Sequence, residues 1–140
     1  MTRHPMPRLL AVTRDEAWYC QVCQAVAGKA RPRRVGSLNQ LDDLLPAGAI
    51  LVDGAAVPDV DLLATWLRLR RGTAMIAVAA PVPEWRDAVT LMRSGAFDYF
   101  SKTHDLPELG CKLQGLLRVL LLIDKEEGVD GPEAQAHSVR

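Results

Sequence analysis

Five apolar segments alternate with five amphipathic segments along the chain, and this alternation restricts the possible folds more than any other feature. Residues 8–12, 49–52 and 74–79 are the clearest apolar segments. Apolar strands separated by amphipathic helices are typical of a parallel sheet that is covered by helices on both faces. Because crossovers between parallel strands are right-handed, the alternation predicts an α/β fold, a doubly wound (βα)5 sandwich with five parallel strands.

The length of the chain predicts one domain with solvated ends. A chain of 140 residues can form one hydrophobic core of ordinary size. Residues 1–7 contain two prolines and are predicted to form a flexible arm, and residues 8–123 are predicted to form the domain. Residues 124–140 contain few apolar side chains and two glycines, which predicts a solvated tail.

The charge and the hydropathy of the chain argue against nucleic-acid and membrane partners. The 17 basic and 17 acidic residues give a formal net charge of zero, so no strong attraction to nucleic acid or to an anionic membrane is expected. No apolar run approaches the roughly 18 residues that a membrane-spanning helix needs. The three cysteines suit a reducing compartment, and we predict a cytoplasmic protein.

Two charged residues of opposite sign are expected at one edge of the sheet. In a doubly wound sheet, sites form at the carboxyl ends of the strands, near the reversal in strand order. Asp53 follows the third predicted strand and Lys102 follows the fifth. A surface salt bridge and a functional pair are both consistent with this placement.

The segment around Lys102 resembles the end of a known domain. Residues 94–102 read Ser-Gly-Ala-Phe-Asp-Tyr-Phe-Ser-Lys, and Leu-Pro-Glu-Leu follows at 106–109. Together they resemble the last strand and helix of the receiver domain of bacterial two-component response regulators. The run 49–52 with Asp53 is similar to that family's third strand and phosphoacceptor. The resemblance covers about residues 8–123 and implies a flavodoxin-like sandwich with strand order 2-1-3-4-5.

The resemblance implies a role for each matching residue. Asp53 corresponds to the phosphoacceptor, a carboxylate nucleophile that takes a phosphoryl group from a phosphohistidine. Lys102 corresponds to the lysine that pairs with the acyl phosphate, and Tyr99 to the aromatic residue of the switch. A sensor histidine kinase or a phosphotransfer protein is the implied donor. Residues 13–16 contain no glycine, which argues against a cofactor-binding enzyme on this fold.

The sequence departs from the family at the metal and switch positions. The family has two acidic residues after the first strand, whereas Thr13 and Arg14 stand there and Asp15 follows one step late. Ala80 stands where the family has a threonine or a serine, and Thr103 replaces the usual proline. We therefore predict no resident cofactor and at most weak Mg²⁺ binding.

These departures leave two functions open. One is a receiver domain in a phosphorelay, in which Asp53 is phosphorylated. The other is a pseudo-receiver, a protein-interaction or dimerisation module that acts without phosphorylation. We also consider that Arg14 fills the metal position and pairs with Asp53; the alternative is that Arg14 points to water.

The partner surface is expected on the face formed by the fourth predicted helix, the fifth strand and the fifth predicted helix. Residues 116–123 are richer in apolar side chains than one inner helix face requires. We predict that Leu117, Leu120 and Leu121 contribute to a homodimer or partner contact there; a deeper core is the alternative. In the fourth helix, Trp85 and Met92, together with 88 and 89, have the i, i+3, i+4, i+7 spacing of a helix.

Three further motifs have both a structural and a functional interpretation. Cys20 and Cys23 form a Cys-x-x-Cys pair within a predicted helix, where packing is favoured over a redox or zinc site. The arginines of segments 31–34 and 68–71 are interpreted as solvated faces, with phosphate contacts as the alternative. His104 is interpreted as a loop residue, with acid–base chemistry as the alternative.

Overall fold

The computed structural model describes residues 6–45, 47–103 and 105–138, with side chains through residue 122. Five parallel strands form one sheet in the order β2-β1-β3-β4-β5. This is the flavodoxin-like order that the sequence predicted, so the predicted fold class is confirmed. The strands are β1 (Arg8–Val12), β2 (Arg31–Val35), β3 (Ala49–Asp53), β4 (Met75–Ala80) and β5 (Asp98–Ser101). The helices are α1 (Glu16–Ala25), a 3₁₀ helix (Leu38–Leu44), α2 (Val60–Leu69), α3 (Trp85–Arg93) and α4 (Leu106–Ser138).

The sheet separates two hydrophobic cores. Alternate strand residues face opposite sides, so Leu10 and Ile50 belong to the core beneath α2, α3 and the 3₁₀ helix. Leu9 and Leu51 belong to the core beneath α1 and α4. The central strand β3 is buried at every position. Burial on both faces explains why its sequence is continuously apolar.

The second predicted helix is a 3₁₀ helix, so the fourth and fifth predicted helices are α3 and α4. Ser37 occupies the capping position but makes no side-chain capping hydrogen bond. The seven residues include three poor helix formers, Asn39, Asp42 and Asp43. A short tight helix therefore connects β2 to β3.

The predicted helix is present as α3, but the apolar spacing that begins at Trp85 does not mark its buried face. Trp85 is 77% exposed and Met92 is 44% exposed, and Leu91 is the residue of α3 that is buried in the core. The physical reason lies in the sheet. The helix packs against α2 and β5, and β5 is the edge strand, so no further strand lies beneath the outer side of α3.

Two of the three leucines that were predicted for the partner surface lie instead on the buried inner face of α4. Leu117 and Leu120 are buried in the core with α1, because they continue the i, i+4, i+7 spacing from Leu109 and Leu113. Leu121 is 47% exposed, as a surface position requires.

Ordered structure extends beyond both ends of the predicted domain, residues 8–123. The helical backbone of α4 continues to Ser138, beyond the predicted end at residue 123. Lysine and glutamate at 125–127 are good helix formers and favour this continuation. Of the predicted arm, residues 1–5 lie outside the described residues, whereas the carbonyl oxygens of Met6 and Pro7 accept hydrogen bonds from Arg31. A search of the described helices finds no stretch that could cross a membrane.

Candidate functional site

Three strand ends place the candidate site at the carboxyl edge of the sheet. Asp53 is the last residue of the central strand β3, and Thr13 follows the neighbouring strand β1. Lys102 follows β5, and its backbone N–H donates to the carbonyl oxygen of Ala80 at the end of β4. The Lys102 side chain extends across the end of β4 to reach Asp53. The sequence prediction that Asp53 and Lys102 share this edge agrees with this geometry.

Both carboxylate oxygens of Asp53 have hydrogen-bond partners. The Thr13 hydroxyl donates to Asp53 Oδ2 at 2.7 Å, and Lys102 Nζ lies 3.0 Å from the same oxygen. The backbone N–H of Ala55 donates to Oδ1 at 2.9 Å. Asp53 is 1% exposed and Thr13 is also 1% exposed. The carboxylate is therefore buried, charge-paired and held by a hydroxyl and an amide.

Lys102 connects two carboxylates. Its Nζ lies 2.9 Å from Asp15 Oδ2 in addition to its contact with Asp53, and it lies 5.4 Å from the centre of the Trp18 ring. Burial lowers the pKa of Lys102, whereas the hydrogen bonds to Asp15 and Asp53 raise it, and the net pKa is raised above the usual 10.5. The ammonium therefore stays charged across the physiological pH range.

Asp15 enters the site because it caps α1. Its Oδ1 accepts from the backbone N–H of Trp18 at 3.0 Å, which leaves Oδ2 for Lys102. The hydrogen bond from the Trp18 backbone and that from Lys102 hold the pKa of Asp15 below its usual 3.8. Sequence reasoning placed Asp15 at the helix start but missed its ion pair. Its position at the same edge as Lys102 was the signal that could have indicated it.

The hypothesis that Arg14 pairs with Asp53 is wrong. Arg14 is exposed, and its Nε donates to the carbonyl oxygen of Gly36 at 3.4 Å. Consecutive residues at a strand end point in opposite directions, so Thr13 faces Asp53 and Arg14 faces away. The cation that contacts Asp53 is Lys102, which follows the edge strand β5.

The oxygens at this edge do not fit a divalent cation. Mg²⁺ needs near-octahedral oxygen ligands and usually takes one or two carboxylates. The carboxylates of Asp15 and Asp53 both contact the Lys102 ammonium, which occupies the position between them. In the described part of the chain, no cluster of three His, Cys, Asp or Glu side chains is arranged to hold a metal.

The predicted switch residues lie on a neighbouring cleft. Tyr99 is half-buried, and its hydroxyl oxygen accepts from the backbone N–H of Glu84 at 3.1 Å. Tyr99, Ala80 and Gly54 line a cleft of about 260 Å³ between the ends of β3 and β4 and the start of α3. Ala80 is 6% exposed and contributes a methyl group where a hydroxyl would have faced the cleft. His104 lies outside the described residues.

Comparison with known proteins shows the fold of this chain. No family model and no curated protein sequence matches it. A response regulator from Thermotoga maritima superposes with a TM-score of 0.69 at 14% identity, over 81% of this chain and 99% of that one. A CheY-like receiver domain protein from Methanospirillum hungatei superposes with a TM-score of 0.67 at 20% identity, over 83% and 97%. The orphan response regulator HP1043 of H. pylori gives 0.67 at 15% identity, over 81% and 99%. The chain therefore has the fold of response-regulator receiver domains.

Proposed function

We propose that this protein is a receiver-fold interaction module that acts through protein contacts and does not require phosphorylation of Asp53. The observation that carries the proposal is the state of Asp53. This carboxylate is 1% exposed, and one of its oxygens accepts both the Thr13 hydroxyl and the Lys102 ammonium. The negative charge of Asp53 is thus stabilised by side chains of the protein itself, without a bound ligand.

The energetics disfavour a phosphorylation switch. Attack by Asp53 Oδ2 requires loss of the Thr13 hydrogen bond to a charged group, which costs about 1.5–3 kcal/mol. Stabilisation by a metal ion would contribute several kcal/mol, but the oxygens do not fit one. Moving a two-state switch from 1:99 to 99:1 requires about 5.5 kcal/mol of differential binding. A site in which Asp53 is already paired with Lys102 and hydrogen-bonded to Thr13 supports one stable state.

The outer side of α3 supports the partner surface. Trp85 and Met92 lie at i and i+7 and are exposed, and Phe97 and Leu106 are 38% and 39% exposed on the adjoining segments. An exposed apolar surface of this kind marks an interaction site. Closed two-fold dimers are the commonest oligomers, and each copy contributes the same patch to the contact. We therefore assign this surface to a homodimer.

Trp85→Glu is expected to weaken self-association by at least about tenfold, because a buried interface tryptophan commonly contributes 2 kcal/mol or more. Sedimentation equilibrium of the full chain measures this. Leu62→Glu is the matched control, since Leu62 is 55% exposed on α2, away from the proposed surface. A wild-type chain that is monomeric at millimolar concentration contradicts the homodimer, and an equal effect of both variants contradicts the surface.

The second candidate function is a phosphoacceptor in a phosphorelay, with a histidine kinase or phosphotransfer protein as donor. The 3.0 Å contact between Lys102 Nζ and Asp53 Oδ2 favours it, because a lysine here would pair with an acyl phosphate. The fold of the similar structures agrees with either candidate.

Treatment with acetyl phosphate or beryllofluoride and Mg²⁺ separates the two candidates. We expect no phosphate adduct by intact-mass spectrometry and no beryllofluoride-dependent shift in the amide NMR spectrum, because Asp53 is buried and already paired. Asp53→Asn is the control for the attachment site. An adduct or shift in the wild-type protein that is absent from Asp53→Asn would replace the first candidate by the second.

A further inference from the structure

Basic residues are concentrated at the start of a chain whose net charge is zero. Residues 1–36 contain seven basic and two acidic residues, whereas residues 37–140 contain ten basic and fifteen acidic residues. The first segment supplies β1 and the edge strand β2. Four of the seven basic residues, Arg8, Arg31, Arg33 and Arg34, lie on these two strands.

Three arginines on this edge form a cluster of like charge. Arg8 on β1 lies opposite Arg31 on β2 in the strand register, and Arg33 is two residues further along. All three are exposed and lie on the same face of the sheet. Neighbouring strands are about 4.8 Å apart and alternate strand residues about 6.6 Å apart, so the three Cα positions form a compact triangle. We call these residues the arginine triangle.

The arginine triangle is not neutralised by any described side chain. No carboxylate among the side chains described through residue 122 forms an ion pair with Arg8, Arg31 or Arg33. By contrast, Arg34 on the opposite face pairs with Glu16 at 3.6 Å and lies over the Tyr19 ring. Like charges directly opposite on neighbouring strands are destabilising. The triangle thus carries a repulsion that a bound anion would relieve.

The three arginines are not needed to prevent a further strand from pairing with the edge strand β2. The backbone N–H of Arg31 donates to the carbonyl oxygen of Pro7, and the carbonyl oxygen of Val35 accepts from the backbone N–H of Thr13. Residues 31 and 35 therefore direct their backbone groups toward β1. Residues 32 and 34, which alternate with them, direct their backbone N–H and C=O groups away from β1. Pro32 has no N–H, which already disfavours addition of another strand. A partner at this edge is expected to bind through the arginine side chains.

We propose that the arginine triangle is a docking site for an acidic segment of a partner protein, bound through side-chain ion pairs. Carboxylates at alternate positions of an extended segment repeat at about 6.6 Å, which matches the separation of Arg31 and Arg33. A nucleic acid fits less well, because the rest of the chain carries net negative charge and no exposed aromatic side chain lies between the arginines for stacking.

This site is independent of the homodimer surface. The strands β2 and β5 form opposite edges of the sheet, about 19 Å apart at the usual strand spacing. Both surfaces can therefore be occupied at once. The inference goes beyond the proposed function, since it would stand if Asp53 were phosphorylated and if the chain were monomeric.

The test measures binding of a fluorescent peptide of alternating Glu and Ser residues by anisotropy. We expect the triple variant Arg8→Gln, Arg31→Gln, Arg33→Gln to bind the peptide about tenfold more weakly at low salt, because three surface ion pairs are lost. The matched control removes three exposed basic residues elsewhere, Arg86→Gln, Lys112→Gln and Arg118→Gln, and should retain binding. The affinity should fall as salt is raised.

Three results would overturn the proposal. They are no peptide binding at low salt, an equal loss in the control variant, and tighter binding of a single-stranded oligonucleotide of equal charge. A second readout checks the premise. Because the triple variant removes repulsion, its melting temperature at low salt should equal or exceed that of the wild type; a lower value would contradict the unpaired cluster.

Discussion

Replacing Lys102 by Met is expected to lower the free energy of unfolding at pH 7 by about 3–5 kcal/mol, because it leaves a buried carboxylate without its counter-charge. The Asp53 side chain is 2% exposed and that of Lys102 is 14% exposed, so water compensates little of the loss. Urea unfolding followed by Trp fluorescence measures the effect. Lys112→Met is the matched control, since Lys112 is exposed on α4, lies 6.0 Å from the centre of the Phe100 ring, and forms no ion pair with a described carboxylate.

The second replacement Asp53→Asn should recover much of this loss. It removes the unpaired charge, and the amide oxygen can still accept from Ala55 while the amide N–H donates to the Thr13 hydroxyl, which can accept as well as donate. Alone, Asp53→Asn should cost less than Lys102→Met, because Lys102 keeps its ion pair with Asp15. Additive losses in the double variant would show that the two residues do not interact.

Replacing Thr13 by Asp is expected to make the stability depend on Mg²⁺. Without metal, the new carboxylate faces Asp53 and replaces a 2.7 Å hydrogen bond by a repulsion, at a cost of about 3 kcal/mol. The new carboxylate, the third at this edge, also places oxygen ligands of the kind that Mg²⁺ prefers next to Asp53. Mg²⁺ at 100 times its dissociation constant should then restore about 2.7 kcal/mol.

Arg14→Asp is the matched control for this prediction. Arg14 is exposed and contacts Gly36, so a carboxylate at position 14 is directed away from Asp53 and should give no Mg²⁺ response. Urea unfolding of the wild type and both variants, with EDTA and with Mg²⁺, makes the comparison. A response in Arg14→Asp, or an equal response in the wild type, would show that the site is arranged differently.

The sequence predicted the strands and helices and their succession along the chain well, because both depend on local patterns. The buried run 49–52 is apolar at every position, which only a strand covered on both faces requires. The segment ending in Lys102 carried the resemblance that implied the strand order. The meeting of Asp53 and Lys102 followed from topology, since parallel strands end at one edge.

Predictions of which way a side chain points were less successful. Of the two orientations that the sequence left open for Arg14, the pairing with Asp53 is wrong, because Thr13 faces Asp53. The apolar spacing that begins at Trp85 includes side chains that lie exposed outside the edge of the sheet. Helical periodicity identifies one apolar side of a helix, but the packing of the neighbouring elements decides whether that side is covered.

The sequence by itself determined a doubly wound α/β domain, with a carboxylate and a lysine at the carboxyl edge of its sheet. The tertiary structure decided that Lys102 contacts both Asp15 and Asp53, and that the arginine triangle forms no ion pair with a described side chain. Apolar periodicity and strand direction are short-range properties that are written in consecutive residues. Ion pairs join residues 49 and 87 positions apart, and their formation depends on side-chain reach in the folded chain.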